Sequence, residues 1–223
     1  MQFGPTASGN NRAVPSRARR RLLLLLLDEP VSAGDGELTW FNLRTSVLLC
    51  PSAHEGPVFS LLSTDCRLLS AGNGEVSAWS WSELIKKNVK PLWTKRPNYK
   101  SSLEIPEINS MIINPRDNSL VVGGGDNNIH ILDLEHGVFK SVLQGHSDYV
   151  HCVSVREREA EILSGGEDGA VRIWDSRTGQ TVHCIEVYKY EECARPQFGK
   201  WISCLTTDSD WMLLIKTVEW LKQ

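Results

Sequence analysis

The sequence predicts an all-β fold, an array of four-stranded blades forming a β-propeller, on three observations. One stretch carries a fixed order of polar and aromatic residues around a Gly-rich turn. Degenerate copies of its closing aromatic stand at Phe41, Trp79, Leu132 and Trp174, 38 to 53 residues apart. Short apolar runs of strand length, separated by turn residues, fill the intervals. The best-formed copy opens at Gly145-His146-Ser147-Asp148-Tyr149-Val150. It closes at Leu163-Ser164-Gly165-Gly166-Glu167-Asp168-Gly169-Ala170-Val171-Arg172-Ile173-Trp174-Asp175.

A Gly-His opening with a Trp-Asp close is the signature of one WD40 blade. Its chemistry is a hydrogen-bond chain. His146 should donate to Asp168 in the turn and meet Ser164, which in turn meets the indole N–H of Trp174. Each of these groups, buried alone, would cost about 1 to 3 kcal/mol; together they satisfy one another. Asp168-Gly169 supplies the positive-φ turn of a two-residue hairpin. His146 with Asp168 also fits a general acid/base dyad, but such a dyad would have no need of Ser164 and Trp174 at their repeat positions. No metal-ligand cluster, nucleophile elbow or paired-carboxylate motif stands out, so neither enzyme activity, cofactor, metal nor small-molecule substrate is expected.

With 223 residues, 41% of them apolar, the chain is large enough for a sizeable core. A formal net charge of -3 gives no overall attraction to nucleic acid, so any such contact must be local. Cys50, Cys66, Cys152, Cys184, Cys193 and Cys204 include no Cys-x-x-Cys pair, and no Asn-x-Ser/Thr acceptor occurs. Reduced, buried thiols are the expectation.

In chain order, residues 1–21 read as a disordered basic arm ending in Arg17, Arg19, Arg20 and Arg21. The apolar run 22–27 is six residues long and cut by Asp28-Glu29-Pro30. A secretory signal needs about 7 to 15 apolar residues and a membrane helix about 20, so the run reads instead as a strand and no membrane is expected. Residues 22–212 form the repeat array. Val31-Ser32-Ala33-Gly34-Asp35-Gly36-Glu37-Leu38 repeats at Leu69-Ser70-Ala71-Gly72-Asn73-Gly74-Glu75-Val76, an offset of 38. The second blade's network is expected from His54, Ser70, Asn73 and Trp79, with Asn73 in the place of aspartate.

Residues 82–100 read as a basic insertion between blades. They hold six cations against one acid, with Trp93 and Tyr99 interleaved. Lys86, Lys87, Lys90, Lys95 and Arg96 are the candidate nucleic-acid contacts; a solvated loop is the favoured alternative, because the patch is short. The third blade's Leu120-Val121-Val122-Gly123-Gly124-Gly125-Asp126 aligns with the fourth at an offset of 42. Val122 and Leu132 replace the serine and tryptophan there, so its polar network is expected to be lost. A fifth blade opens at Trp201 and is not completed; residues 213–223 read as a divergent tail. Four readable blades and a partial fifth make the array incomplete beside a seven-bladed ring, and a truncated form is expected.

Several stretches that no blade requires resemble the THO complex subunit 6 family of WD40 proteins. They include Thr64-Asp65-Cys66-Arg67-Leu68-Leu69-Ser70-Ala71-Gly72, Ser102-Leu103-Glu104-Ile105-Pro106-Glu107-Ile108-Asn109, Ile185-Glu186-Val187-Tyr188-Lys189 and Thr207-Asp208-Ser209-Asp210-Trp211-Met212. The resemblance spans about residues 31 to 212; the first 30 residues and the last 11 depart from it. It implies a non-enzymatic nuclear scaffold, with nuclear speckles as one site, bound to other THO/TREX subunits and coupling transcription and splicing to messenger RNA export. Asp148, Tyr149, Arg172 and Arg177 are the candidate partner contacts, since arginine and aromatic anchors dominate such surfaces. The alternative is a substrate receptor of a DDB1–cullin-4 ubiquitin ligase, because Trp174-Asp175-Ser176-Arg177 fits a Trp-Asp-x-Arg docking pattern.

Overall fold

The computed structural model describes residues 22–26, 29–34, 37–42, 46–50, 54–86, 90–99, 105–191, 193, 199–208 and 211–216, with side chains from residue 54 onward except at 85 and 214–216. The basic arm expected over 1–21, Lys87 and residues 217–223 lie outside the described residues.

Each run between turn residues is a strand, and successive strands pair antiparallel. The first sheet is β1 (Leu22–Leu26), β2 (Glu29–Gly34), β3 (Glu37–Asn42) and β4 (Ser46–Cys50). The second is β5 (Ser60–Ser63), β6 (Arg67–Ala71), β7 (Val76–Ser80) and β8 (Trp93–Lys95). The third is β9 (Ile108–Asn114), β10 (Ser119–Gly124), β11 (Asn128–Asp133) and β12 (Val138–Gln144). The fourth is β13 (Val150–Arg156), β14 (Glu161–Gly166), β15 (Ala170–Asp175) and β16 (Thr181–Glu186). A 3-10 turn, Val187–Lys189, leads to a two-stranded fifth sheet, β17 (Ile202–Thr207) and β18 (Met212–Lys216). The sequence offsets are register offsets: Leu120 faces Leu132 as Ile162 faces Trp174, and Val31 faces Trp40 as Leu69 faces Ala78.

The first strands of successive sheets lie side by side, β1 to β5 to β9 to β13 to β17, so the sheets stand as neighbouring blades. The core is the set of interfaces between blades. Leu69, Ala71, Val76 and Ala78 of the second blade meet Ile108, Leu120, Val122 and Leu132 of the third. The third turns Val121, Ile129 and Ile131 the other way, onto Val150, Val153, Ile162 and Trp174 of the fourth. The fourth in turn packs Leu163, Val171 and Ile173 on Ile202 and Leu205 of the fifth. A middle strand is therefore buried on both faces, which is why Leu120-Val121-Val122 is an unbroken apolar run and all three are 0% exposed. Burying each such side chain contributes about 1.5 to 3 kcal/mol.

Four expectations need correction. The segment 82–100 is not wholly an insertion, because β8 within it is the second blade's outer strand, pairing Ala78 with Trp93. It is short because Pro91 and Pro97 flank it and proline cannot donate to the ladder. The fifth blade continues through Lys216, so the boundary at 212 falls on a strand; Leu213, Leu214 and Ile215 pair with Thr206, Leu205 and Cys204. The turn at Asp168 has three residues, 167–169, ending in Gly169 at φ 76°. Finally, the cysteines whose side chains are described are mostly not buried. Cys66, Cys184 and Cys204 are exposed, Cys193 is half-buried, and Cys152 is buried, its thiol pushed up to about 12 by loss of solvent.

Candidate functional site at the upper ends of the blades

Each blade has an upper end, where its first strand begins and its second strand turns into its third. In the fourth blade His146 enters just before β13, and its side chain is fully enclosed. Its Nδ1 lies 2.9 Å from Asp168 Oδ2 and its Nε2 lies 2.7 Å from Ser164 Oγ. Trp174 Nε1 donates to the same Ser164 Oγ at 2.9 Å. An indole N–H can only donate, so Ser164 accepts from Trp174 and gives its own proton to His146 Nε2. His146 then carries its proton on Nδ1 and donates it to Asp168. The carboxylate also accepts from the backbone N–H of Ser147 and Ala170 at 3.2 and 3.0 Å. Burial pushes the Asp168 carboxyl up, but the bonds from His146 and those two amides outweigh it and hold the group below the usual carboxylate range. The chain runs from the blade's third strand to the loop before its first, fixing that loop to the sheet.

The second blade repeats this with one change. Trp79 Nε1 donates to Ser70 Oγ at 2.8 Å, and Ser70 lies 2.8 Å from His54 Nε2. The acid at the end is Glu75, not Asn73: His54 Nδ1 meets Glu75 Oε1 at 3.2 Å. Asn73 is exposed and forms a backbone bridge with Glu107 instead. The span between paired positions is one residue shorter here, Leu69 to Ala78 against Leu163 to Ile173, and the longer side chain of Glu75, just before β7, reaches the histidine. Glu75 Oε2 also accepts Arg96 Nε and Nη2 at 3.0 and 2.8 Å. Burial, the larger effect, lowers the His54 pKa below its ordinary value against the opposing pull of Glu75.

In the third blade Val122 and Leu132 are buried in the apolar core, and Asp126 turns to its own hairpin. It accepts His130 Nε2 at 2.8 Å and Asn128 Nδ2 at 2.9 Å. His130 is only 2% exposed and stands edge-on to both Tyr99 and Phe139. The chain from tryptophan to acid is absent from this blade, and a separate set of polar bonds is closed inside one hairpin. Glu75 and His130 are the residues the sequence reading missed. Glu75 had a signal, since Glu37 occupies the same place 38 residues earlier; His130 aligns with Arg172 and had none.

The four candidate partner contacts do not share one surface. Asp148 and Tyr149 are exposed at the upper end of the fourth blade, Tyr149 at 45%. Arg172 is half-buried, pairs opposite Ser164 and Cys184, and lays its guanidinium against Gly145. Arg177 stands in the turn after β15, at the lower end, one six-residue strand or about 20 Å away. Of Trp174-Asp175-Ser176-Arg177, Trp174 is buried, Asp175 accepts from Arg177, and Arg177 is exposed. The basic segment is also divided. Lys86 pairs with Glu83 at 3.1 Å and Arg96 with Glu75, while Lys90 is exposed and Lys95 half-buried. Among the described residues no group of three or more His, Cys, Asp or Glu side chains is placed to hold a metal ion, and no helix is long and apolar enough to cross a membrane.

Stacked four-stranded blades carrying these Trp–Ser–His–acid chains define a WD40 β-propeller protein. The fold matches the WD40 β-propeller domain of Doa1 with a TM-score of 0.64 at 18% identity, over 86% of this chain and 58% of that one. Residues 94–212 match the Nucleolar protein 10-like, N-terminal domain family, a β-propeller family, and the chain belongs to it. It is 78% identical over 189 residues to the THO complex subunit 6 homolog of Danio rerio, covering 80% of this chain and 58% of that protein. It is 60% identical over 161 residues to THO complex subunit 6 of Homo sapiens, covering 72% and 47%. To the Arabidopsis thaliana protein of the same name it is 37% identical, covering 60% and 41%. The chain thus spans about half the length of these relatives.

Proposed function

We propose that the chain is a non-enzymatic scaffold subunit of the THO/TREX assembly, acting in the nucleus where transcription and splicing are coupled to messenger RNA export. The observation that carries this is the 78% identity to a THO complex subunit 6 homolog across four-fifths of the chain. The geometry supports a scaffold: the Trp–Ser–His–acid chains hold the loops of the second and fourth blades in place without a substrate, so partners meet a preorganised surface. Asp148 and Tyr149 are the contacts at the upper end, and other THO subunits are the partners. An RNA contact through the 82–100 segment is the lesser part of the reading, resting on Lys90 and Lys95, since Lys86 and Arg96 already face carboxylates. The ubiquitin-ligase reading rests on the exposed Arg177 alone.

The test is affinity purification of the tagged chain from nuclear extract. Co-elution of THO subunits in fixed stoichiometry, reduced by Tyr149→Ala, is the expected result. Elution without them, or with DDB1 in their place and lost on Arg177→Ala, would overturn the assignment. Direct RNA binding should weaken with salt and on neutralising Lys90 and Lys95.

A further inference from the structure

We infer that the groove between the lower ends of the third and fourth blades binds one anionic group, phosphate or carboxylate, carried on a peptide segment of a partner. The groove is open to solvent and has a volume of about 480 Å³. Three separate elements bring cations to it: Arg116 from the β9–β10 turn, Lys140 from β12 and Arg177 from the β15–β16 turn, with the hydroxyls of Ser141 and Ser176 beside them.

The two arginines are held loosely enough to accept a ligand. Arg116 gives one N–H to the carbonyl of Glu157 at 3.4 Å and is within ion-pair distance of no carboxylate among the described residues. Arg177 meets Asp175 at 3.3 and 3.4 Å with its side chain 72% exposed. Asp175 does not depend on that guanidinium, because the backbone N–H of Arg177 already donates to it at 2.8 Å. Exposed pairs of this kind contribute little and exchange readily for a better acceptor. Lys140 is paired with Asp117 at 2.7 Å, which also accepts Ser119 Oγ at 2.7 Å, so the lysine is the fixed charge of the site. Two guanidinium forks around one lysine suit an oxyanion, which takes bidentate donors.

The same charges favour a peptide over a nucleic acid. Asp117 and Asp175 flank the three cations, and a nucleic-acid backbone with a phosphate at every step would meet both. A single phosphate or carboxylate on an otherwise neutral segment brings one charge past Asp117, which lines the groove, and Asp175, and no further charges follow it.

The experiment uses the full chain with two probes, inorganic phosphate and the peptide acetyl-Gly-Gly-phosphoserine-Gly-Gly-amide, alongside its serine and glutamate versions and a short oligouridylate. Phosphate should shift the Nε–H resonances of Arg116 and Arg177 saturably and leave that of the exposed Arg67 in place. The phosphopeptide should bind and the serine peptide should not, and binding by the glutamate peptide would extend the site to carboxylates. Arg116→Gln and Arg177→Gln should each weaken the phosphopeptide about tenfold, the effect of one charge-assisted bond, and Arg67→Gln should not. Equal shifts at Arg67, an affinity unchanged by Arg116→Gln, or oligouridylate displacing the peptide at lower concentration would overturn the inference. None of these results depends on membership of the THO assembly.

Discussion

The third and fourth blades share one register at an offset of 42 residues but hold their upper ends by different means. In the fourth, Trp174, Ser164, His146 and Asp168 tie the incoming loop to two strands and the turn between them. In the third, Asp126 and His130 close a bond inside one hairpin, and the incoming chain is held by its backbone. There the Ile108 N–H donates to Gly72 O at 3.1 Å and the Gly125 N–H to Glu107 O at 2.7 Å. The sheets themselves are alike because burial between blades shapes both. The polar chain is thus an attachment of a loop to a sheet and not the cause of the sheet.

The largest expected effect follows from that division. Trp174 is 1% exposed and also ends the polar chain, so Trp174→Ala should cost about 3 to 5 kcal/mol in denaturant unfolding. Leu132→Ala at the equivalent place should cost about 2 to 5 kcal/mol, with no buried hydroxyl losing its donor. Next, Asp168→Ala should cost about 1 to 3 kcal/mol because His146, Ser147 and Ala170 lose their acceptor. Asp126→Ala, at a half-buried site, should cost less. Equal losses would break the comparison.

The response to acid sharpens it. The folded pKa of His54 lies below its unfolded value of 6.5, so below pH 6.5 the unfolded chain binds the extra proton first. Stability should therefore fall as pH drops from 6.5 toward the folded pKa, and His54→Gln should flatten that part of the curve. Asp126 and Asp168 are depressed below 3.8, so their contributions persist to that pH and are lost beneath it. The smallest effect concerns the lower turns. Ala160, at φ 57°, occupies the left-handed place that Asn118, at φ 51°, occupies in the third blade. Asparagine tolerates that region and alanine does not, so Ala160→Gly should stabilise by about 1 kcal/mol and Asn118→Gly by less. Thermal midpoints of the two variants decide it.

What the sequence made legible was whatever repeats. Offsets of 38 and 42 residues carry strand pairing across, because register in a buried sheet is set by the apolar pattern. The His146 chain was readable because four residue types stand at fixed spacing. Asn73 was misassigned because the span between paired positions is one residue shorter in this blade, which changes the side chain that reaches the histidine. Arg96 stood among the candidate nucleic-acid contacts because its partner Glu75, 21 residues away in sequence, is brought to it only by the sheet. The sequence named Arg177 and Asp148 as candidate contacts alike, and only the strand between them shows that they stand at opposite ends of the blade.

The most direct test of the account is a pair of double-mutant cycles, His146→Ala with Asp168→Ala in the fourth blade and His130→Ala with Asp126→Ala in the third, each combined with the tryptophan-position variants Trp174→Phe and Leu132→Phe. The account predicts that Trp174→Phe removes part of the His146–Asp168 coupling, a coupling of about 0.5 to 3 kcal/mol, while Leu132→Phe leaves the His130–Asp126 coupling unchanged. A His146–Asp168 coupling near zero, or one indifferent to Trp174→Phe, would contradict it.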